Sequence, residues 1–520
     1  MVSFMSANKP GVGPVMKVTK YDSDWPLDIP NTAHNRFYFN SEASNLSYVF
    51  RHFQTSGRLN KSDYPGNFDP GSFYGLQTGV LSDQWVMHST MTTSGSGVTR
   101  YNIYGCIGRM PDLGGIIPFA ECKFISSDGT ARVLYNNKPS SSGAYYQSVT
   151  NSAITANVYP EAHQGKFGYQ DIPAALGYSG WAIRPTNQAA GIVAYISGDQ
   201  EFMTSMIWDL PCNNVPIPNP STTPTAGQLA IDLSPTGAKM ARPGYDVRFA
   251  TGRQLIMDSD RTPIKVIMMG TTGAVQPGTS LFVPKPASID FDLSPSMVCD
   301  TICSLNGWDF AIPPVNLNSG LNEERTWVDY RVELGGIRFF VTGTHAVSIK
   351  YMLYATGLQG YTSGGSQVVR KVEGQYLQIK RPGSSDVAPG YNDILLDTRF
   401  AAVTVIAESY VPTSSFTESA SVHWRYGKVG HRVSFDPQGL FIFPKVIYDF
   451  GNFYRNGTHD MYITPGSGAV EALRYSTSTV VRDDHIIMHM NPGNSSGPVN
   501  SSGFPDPVGV RYYILGAATL

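Results

Sequence analysis

The densest group of chemistry-bearing side chains is Asp483-Asp484-His485-Ile486-Ile487-Met488-His489. Two imidazoles beside two carboxylates are the ligand types of a metal or an acid–base site. On a strand, His485 and His489 share a face but stand about four rises, roughly 13 Å, apart, too far for one metal. A helix would bring them together, yet Ile486-Ile487 and the following Pro492-Gly493 favour extended chain. No metal site is expected there. Asp290 and Asp292 are spaced to share one face of a strand, and paired carboxylates in a cleft are what a glycan-cleaving enzyme needs. A chain of 520 residues supplies such pairs by chance. Cys299-x-x-x-Cys303 has a spacing open to a disulfide or a metal. With Cys106, Cys122 and Cys212 it makes an odd set without CxxC pairs, so buried free thiols are the expectation.

Other signatures of catalysis are weaker still. Gly177-x-x-Gly180 and Gly191 have no βαβ context, no GxxxxGK[ST] loop occurs, and Ser94-Gly95-Ser96-Gly97 reads as a flexible loop instead of a nucleophile elbow. Tyr145-Tyr146 and Trp181 could stack on sugar rings, but filling a core or an interface is the ordinary work of such rings. The sequence therefore assigns no catalytic, cofactor-binding or metal-binding residue and no cofactor.

The elements that would position any site read as strands. Charged residues are 15% of the chain, against about 25% in ordinary globular domains, while 52 Gly, 36 Pro, 29 Tyr and 25 Phe are generous. That composition suits turn-rich β domains and leaves few charges to cover a free surface. The net charge of -2, without a basic run, calls for no nucleic-acid partner. No apolar run approaches the ~18 residues of a transmembrane helix, and the first residues lack the apolar core of a signal peptide. A soluble protein made in a cytoplasm, without membrane insertion, is expected.

Val328, Tyr330, Val332 and Leu334 alternate with Asp329, Arg331 and Glu333, a period of two that defines a strand; Gly335-Gly336 then reads as a two-glycine turn into Ile337–Val341. Val347, Ile349, Tyr351 and Leu353 continue the alternation. Gly468 to Arg474 is the best candidate for a short helix. The Pro-rich stretch 211–228 and the Gly/Ser-rich stretch 355–367 divide the chain into domains 1–235, 236–367 and 368–520. The expected fold is all-β and multi-domain, with β-sandwich-like domains built from repeated hairpin units and little helix.

The repeat supplies the plan. In Lys239 to Met269, Arg242-Pro-Gly-Tyr-Asp246-Val247 leads to Leu255-Ile-Met-Asp258-Ser259, and Val266-Ile267 follows Asp258 by eight residues. From Lys380, Arg381-Pro-Gly and Asp386-Val387 lead to Ile394-Leu-Leu-Asp397, again with Val405-Ile406 eight residues on. From Lys17, a diverged copy has Asp24-Trp25, then Phe37-Tyr-Phe-Asn40-Ser41, and lacks Pro-Gly. A fainter echo lies in 168–195. Pro-Gly fits a type II turn, whose second central residue needs positive φ, and the shared Asp reads as a turn residue whose carboxylate accepts backbone N–H bonds.

This repeat resembles a motif of tailed-bacteriophage structural proteins, in which a Lys-x-x-Lys-Pro-Gly-Tyr-Asp-Val segment leads into one strand ending near Asp-Ser and then another. The closing Val510-Arg-Tyr-Tyr-Ile-Leu-Gly516 is similar to the end of such proteins. The resemblance implies a virion component in the tail, tail tip, fibre or collar, assembling with itself and with other virion structural proteins and contacting a host surface glycan if it serves adsorption. A tailspike-like glycan hydrolase or a host-glycan-binding module is the alternative. The scarcity of charge points independently to a homo-oligomer with large interfaces.

Overall fold

The computed structural model describes residues 3–9, 12–21, 23–42 and 47–56, the strand segments 84–92, 100–108, 119–126, 130–133, 181–185, 190–196 and 200–210, and from 227 onward all except 243, 296, 312–314, 318–323, 344, 356–359, 373–375, 420–428, 450–453, 457–461, 464–470, 473–476, 491–507 and 520. The protein is all-β. Among the described residues, helix is confined to three-residue 3-10 turns at His34–Arg36, Gly252–Gln254 and Thr413–Ser415.

Each copy of the repeat folds into its own three-stranded antiparallel sheet. The first comprises Ser3–Lys9, Gly13–Thr19 and Phe37–Asn40; the second Ile231–Ser234, Gly237–Ala241 and Leu255–Asp258; the third Val369–Val372, Tyr376–Lys380 and Ile394–Asp397. The pairing register is the same in all three. Lys17, Lys239 and Gln378 face Asn40, Asp258 and Asp397, and a bulge then inserts one extra residue, Tyr38, Ile256 or Leu395, before pairing resumes. Starting the third copy at Lys380, as the counterpart of Lys239, is corrected: Gln378 stands opposite Asp397 as Lys239 stands opposite Asp258, and Lys380 takes the place of Ala241.

Three sets of hydrogen bonds recur at equivalent positions. Lys20, Arg242 and Arg381 donate backbone N–H to the carbonyls of Arg36, Gln254 and Asp393. The hydroxyls of Ser41, Ser259 and Thr398 accept the N–H of Met16, Ala238 and Leu377 at 2.9, 3.3 and 3.1 Å. The side chains of Asn40, Asp258 and Asp397 each accept the N–H two residues ahead, closing the turn that releases the chain into its next strand. The Asp/Asn-Ser/Thr pair of the motif is thus a turn device.

Gly244 and Gly383 adopt φ of 84° and 77°, and the N–H groups of Tyr245 and Ser384 close three-residue-separated bonds to the carbonyls of Arg242 and Arg381. That is the expected turn. A Cβ on Gly383 would meet nothing within 4 Å, so Gly383→Val isolates the backbone term. It should cost about 1–3 kcal/mol, read as a lowered denaturation midpoint.

The three small sheets share one hydrophobic core. Met16, Ala238 and Leu377, then Val18, Met240 and Ile379, then Phe39, Met257 and Leu396 occupy equivalent positions, and all nine lie in a single cluster. The bulge residues Ile256 and Leu395 join it, with Tyr38 packed against it. The strands leaving the units also pair in succession: Thr262 and Pro263 with Val49 and Tyr48, and Lys265 and Val266 with Ala402 and Ala401. The result is a hub in which three equivalent units meet on one core.

Two large sheets extend from it, of sixteen and nine strands. In the larger, Cys299–Ser304, Ser348–Tyr354, Lys265–Thr271, Ala401–Pro412, Gly509–Ala518 and Leu440–Asp449 are consecutive neighbours. Its face bearing Cys299, Cys303, Ile349, Tyr351 and Leu353 packs on Val328, Tyr330, Val332, Ile337, Phe339 and Val341 of the nine-stranded sheet.

Some local expectations change. Glu333 pairs with Gly336, so the hairpin turn is Leu334-Gly335 and Gly336 belongs to the strand. A Cβ on Gly336 would come within 2.3 Å of the Val283 carbonyl oxygen, which explains a glycine inside a ladder. Leu334 is exposed because it sits in the turn. Within the stretch expected as a short helix, Glu471–Ala472 is a strand paired with Tyr462–Ile463. Residues 168–180 of the faint fourth echo, and Asp22 in the N-terminal turn, lie outside the described residues.

Candidate functional site

The residues with the most chemical potential in the sequence are dispersed in the fold. His485 and His489 do lie on a strand, His485–Met490, and both are buried. His485 Nδ1 lies 2.6 Å from Asp484 Oδ1, whose carboxyl is held below its usual range by that contact. Asp290 and Asp292 are not on a strand, contrary to expectation. They belong to the 285–298 connection, where Ile289, Leu293 and Met297 tuck into the core and leave the two carboxylates outside. There Asp290 pairs with Arg399 at 2.8 Å and Asp292 lies 3.6 Å from Lys285. Cys299 and Cys303 are buried free thiols, and burial pushes the Cys303 thiol far above its usual value. Tyr145 and Tyr146 are outside the described residues; Trp181 starts the strand Trp181–Pro185. Among the described residues, no group of three or more His, Cys, Asp or Glu is placed to hold a metal ion, and no helix is long and apolar enough to cross a membrane.

In the second and third units the shared Asp of the motif pins the chain entering the unit. Asp246 accepts the N–H of Leu229 at 3.1 Å and that of Arg248 at 2.9 Å. Asp386 accepts the N–H groups of Ser366 and Gln367 at 2.9 and 3.0 Å and meets Lys380 Nζ at 2.9 Å. Leu229 and Gln367 each lie two residues before the first strand of their unit. The backbone bond from Ser366, then Lys380, lowers the Asp386 carboxyl to about 2. Asp24 instead holds the guanidinium of Arg36.

Between units, side chains of one repeat satisfy the backbone of the next. The Tyr48 hydroxyl donates to the Ile256 carbonyl at 3.3 Å and accepts the Asp258 N–H at 2.8 Å, bridging the bulge of the second unit. Lys265 plays the corresponding part for the third. Its Nζ donates to the carbonyls of Ile394 at 2.9 Å and Pro263 at 3.1 Å, and the residue is 3% exposed. Burial, with Arg381 adding repulsion, lowers its amine to about 7, while Asp397 and Asp393 oppose the shift. A neutral amine still has two N–H groups, one for each carbonyl.

This gives a pH dependence. Between pH about 7 and its ordinary value of 10.5, Lys265 holds a proton in the unfolded chain and lacks it in the folded one. More protons on the unfolded state mean that stability rises with pH. Unfolding midpoints measured from pH 7 to 10 should therefore carry a rising component, and Lys265→Met should remove it.

The inner face of the sixteen-stranded sheet holds a polar cluster that sequence reasoning missed. Asp300 and Lys445 form a salt bridge at 6% and 2% side-chain exposure. Their strands are five places apart in the sheet, about 24 Å if it were flat at ~4.8 Å per strand, so direct contact requires the sheet to curl. Tyr354, two residues along from Asp300's ladder partner Met352, donates its hydroxyl to Asp300 Oδ2. The Trp208 indole, from the other large sheet, meets Tyr354 edge-on with centroids 4.8 Å apart and lies 4.5 Å from Lys445 Nζ. Further along the same face, fully buried Arg511 donates to Glu408 at 2.8 Å, and the Tyr410 hydroxyl donates to Asp449 at 2.9 Å. The only sequence signal was a lone charge inside an apolar run, as in Cys-Asp300-Thr-Ile and Phe-Pro-Lys445-Val-Ile.

No family model matches this chain, and no curated protein or solved structure is significantly similar to it.

Proposed function

We propose that this chain is a structural component of a tailed bacteriophage particle, in the tail, tail tip, fibre or collar, and that it assembles with copies of itself and with other virion proteins. The observation that carries this reading is the convergence of all three motif copies on one core. The residues on which the phage resemblance rests are spent on turns, on entering strands and on seams between units: Asp246 and Asp386 on backbone N–H groups, Asp258 and Asp397 on turns. A motif used in this way is a building device, as repeated supersecondary units generally are. Large apolar side chains at the surface, among them Trp25, Phe249, Trp308 and Val387, fit a chain that meets neighbours in an assembly.

The test is mass spectrometry of purified particles from the lysate in which the chain is made. The proposal expects the chain in intact virions at a fixed stoichiometry. Finding it only in the soluble lysate would overturn the structural reading and bring forward a glycan hydrolase or glycan-binding module. Light scattering on the isolated chain reads self-association, and a reconstruction of the particle should show its copies in contact.

A further inference from the structure

The geometry points to a covalent cross-link: Lys445 and Asp300 are placed to condense into an intramolecular amide that staples the curled sheet shut. Nucleophile and carboxyl are already in contact, with Lys445 Nζ on Asp300 Oδ2, and both side chains are sealed from water. Three aromatic rings wall the pair: Trp208, Tyr354 and Phe443, with centroids 4.5, 5.3 and 5.8 Å from Nζ. Holding two reactants in such contact replaces a bimolecular step by an intramolecular one, the largest advantage available to a slow amide synthesis.

The chemistry balances without a co-reactant. Proton transfer within the ion pair gives a neutral amine and a carboxylic acid. The Lys445 nitrogen lone pair attacks Asp300 Cγ, forming the C–N bond and moving the carbonyl electron pair onto Oδ1. Collapse of that tetrahedral centre breaks the Cγ–Oδ2 bond, and Oδ2 leaves as water with two protons originally on the ammonium. Ammonium plus carboxylate thus become one amide and one water, and both charges vanish. Tyr354 donates a hydrogen bond to the oxygen that leaves, so it touches a reacting atom and stabilises the charge developing there while both protons of the water come from the ammonium. The low-dielectric walls favour the neutral product over two buried charges.

The bond would join strands five places apart in one sheet and link the middle of the chain to its C-terminal part across 145 positions. Closing a loop of that length restricts the unfolded chain.

The experiment is intact mass measurement on the purified, denatured full-length chain, followed by proteolytic mapping. The inference expects a mass lighter by one water than the sequence, and peptides containing Asp300 and Lys445 recovered as one branched species. Lys445→Arg, which keeps the charge but cannot form this amide, should restore the full mass, and Tyr354→Phe should slow the loss of water. A full-mass wild-type chain yielding separate linear peptides overturns the cross-link. So does a loss of water that maps elsewhere. Both readouts use the wild-type protein and do not depend on a variant folding.

Discussion

Asp300→Ala is expected to destabilise the protein by about 3–5 kcal/mol, the range for removing one partner of a buried ion pair. The cost comes from what stays behind. Lys445 keeps 2% side-chain exposure and loses its ion pair with Asp300, while the Tyr354 hydroxyl loses its hydrogen bond to the same carboxylate. In chains whose Asp300–Lys445 pair has not condensed, replacing both ions, as in Asp300→Ala with Lys445→Met, should return most of the loss, because an apolar pair needs no compensation; where the amide has formed, the part of the loss due to the cross-link remains. Denaturant titration of the three proteins checks this. A single substitution that costs no more than a surface salt bridge, about 0–1 kcal/mol, would mean that water reaches the pair.

Leu396→Ala should cost about 2–5 kcal/mol, the usual penalty for emptying a buried aliphatic site. Met257→Ala and Phe39→Ala, at the equivalent positions of the other units, should fall in or near that range and lower the same transition. The three residues come from distant parts of the sequence, yet they line one cluster. Three separately melting domains would instead give three transitions, each moved by one substitution.

The all-β character and the hairpin units were legible because they depend on local signals. Pro-Gly fixes a turn, a two-residue alternation fixes a strand, and the Asp-Ser pair closes the next turn. The convergence of the units was not legible. It depends on which apolar faces meet, and Met16, Ala238 and Leu377 share no residue type that would mark them as neighbours. The bulge was hidden for a related reason: an extra residue in one strand changes pairing without changing composition.

The chemical candidates were misjudged in the complementary way. Asp290 and Asp292 have strand-like spacing, but the Ser288-to-Val298 stretch is anchored at every fourth residue by Ile289, Leu293 and Met297, and a chain held so does not run as a strand. Asp300, Lys265, Lys445 and Arg511 each stand alone in apolar surroundings in the sequence, and solitary charges do not announce their partners. Those partners lie 145 positions away for Asp300 and 103 for Arg511.

The central claim is that the three motif copies form one cooperative hub, and hydrogen exchange on Phe39→Ala tests it most directly. The Arg242 and Arg381 amides donate to Gln254 and Asp393 in the second and third units, at 2.9 and 2.7 Å, far in sequence from the substitution. If the hub opens as one unit, both amides lose protection by the same factor as Lys20 in the first. Protection lost at Lys20 alone, with Arg242 and Arg381 unchanged, would contradict it.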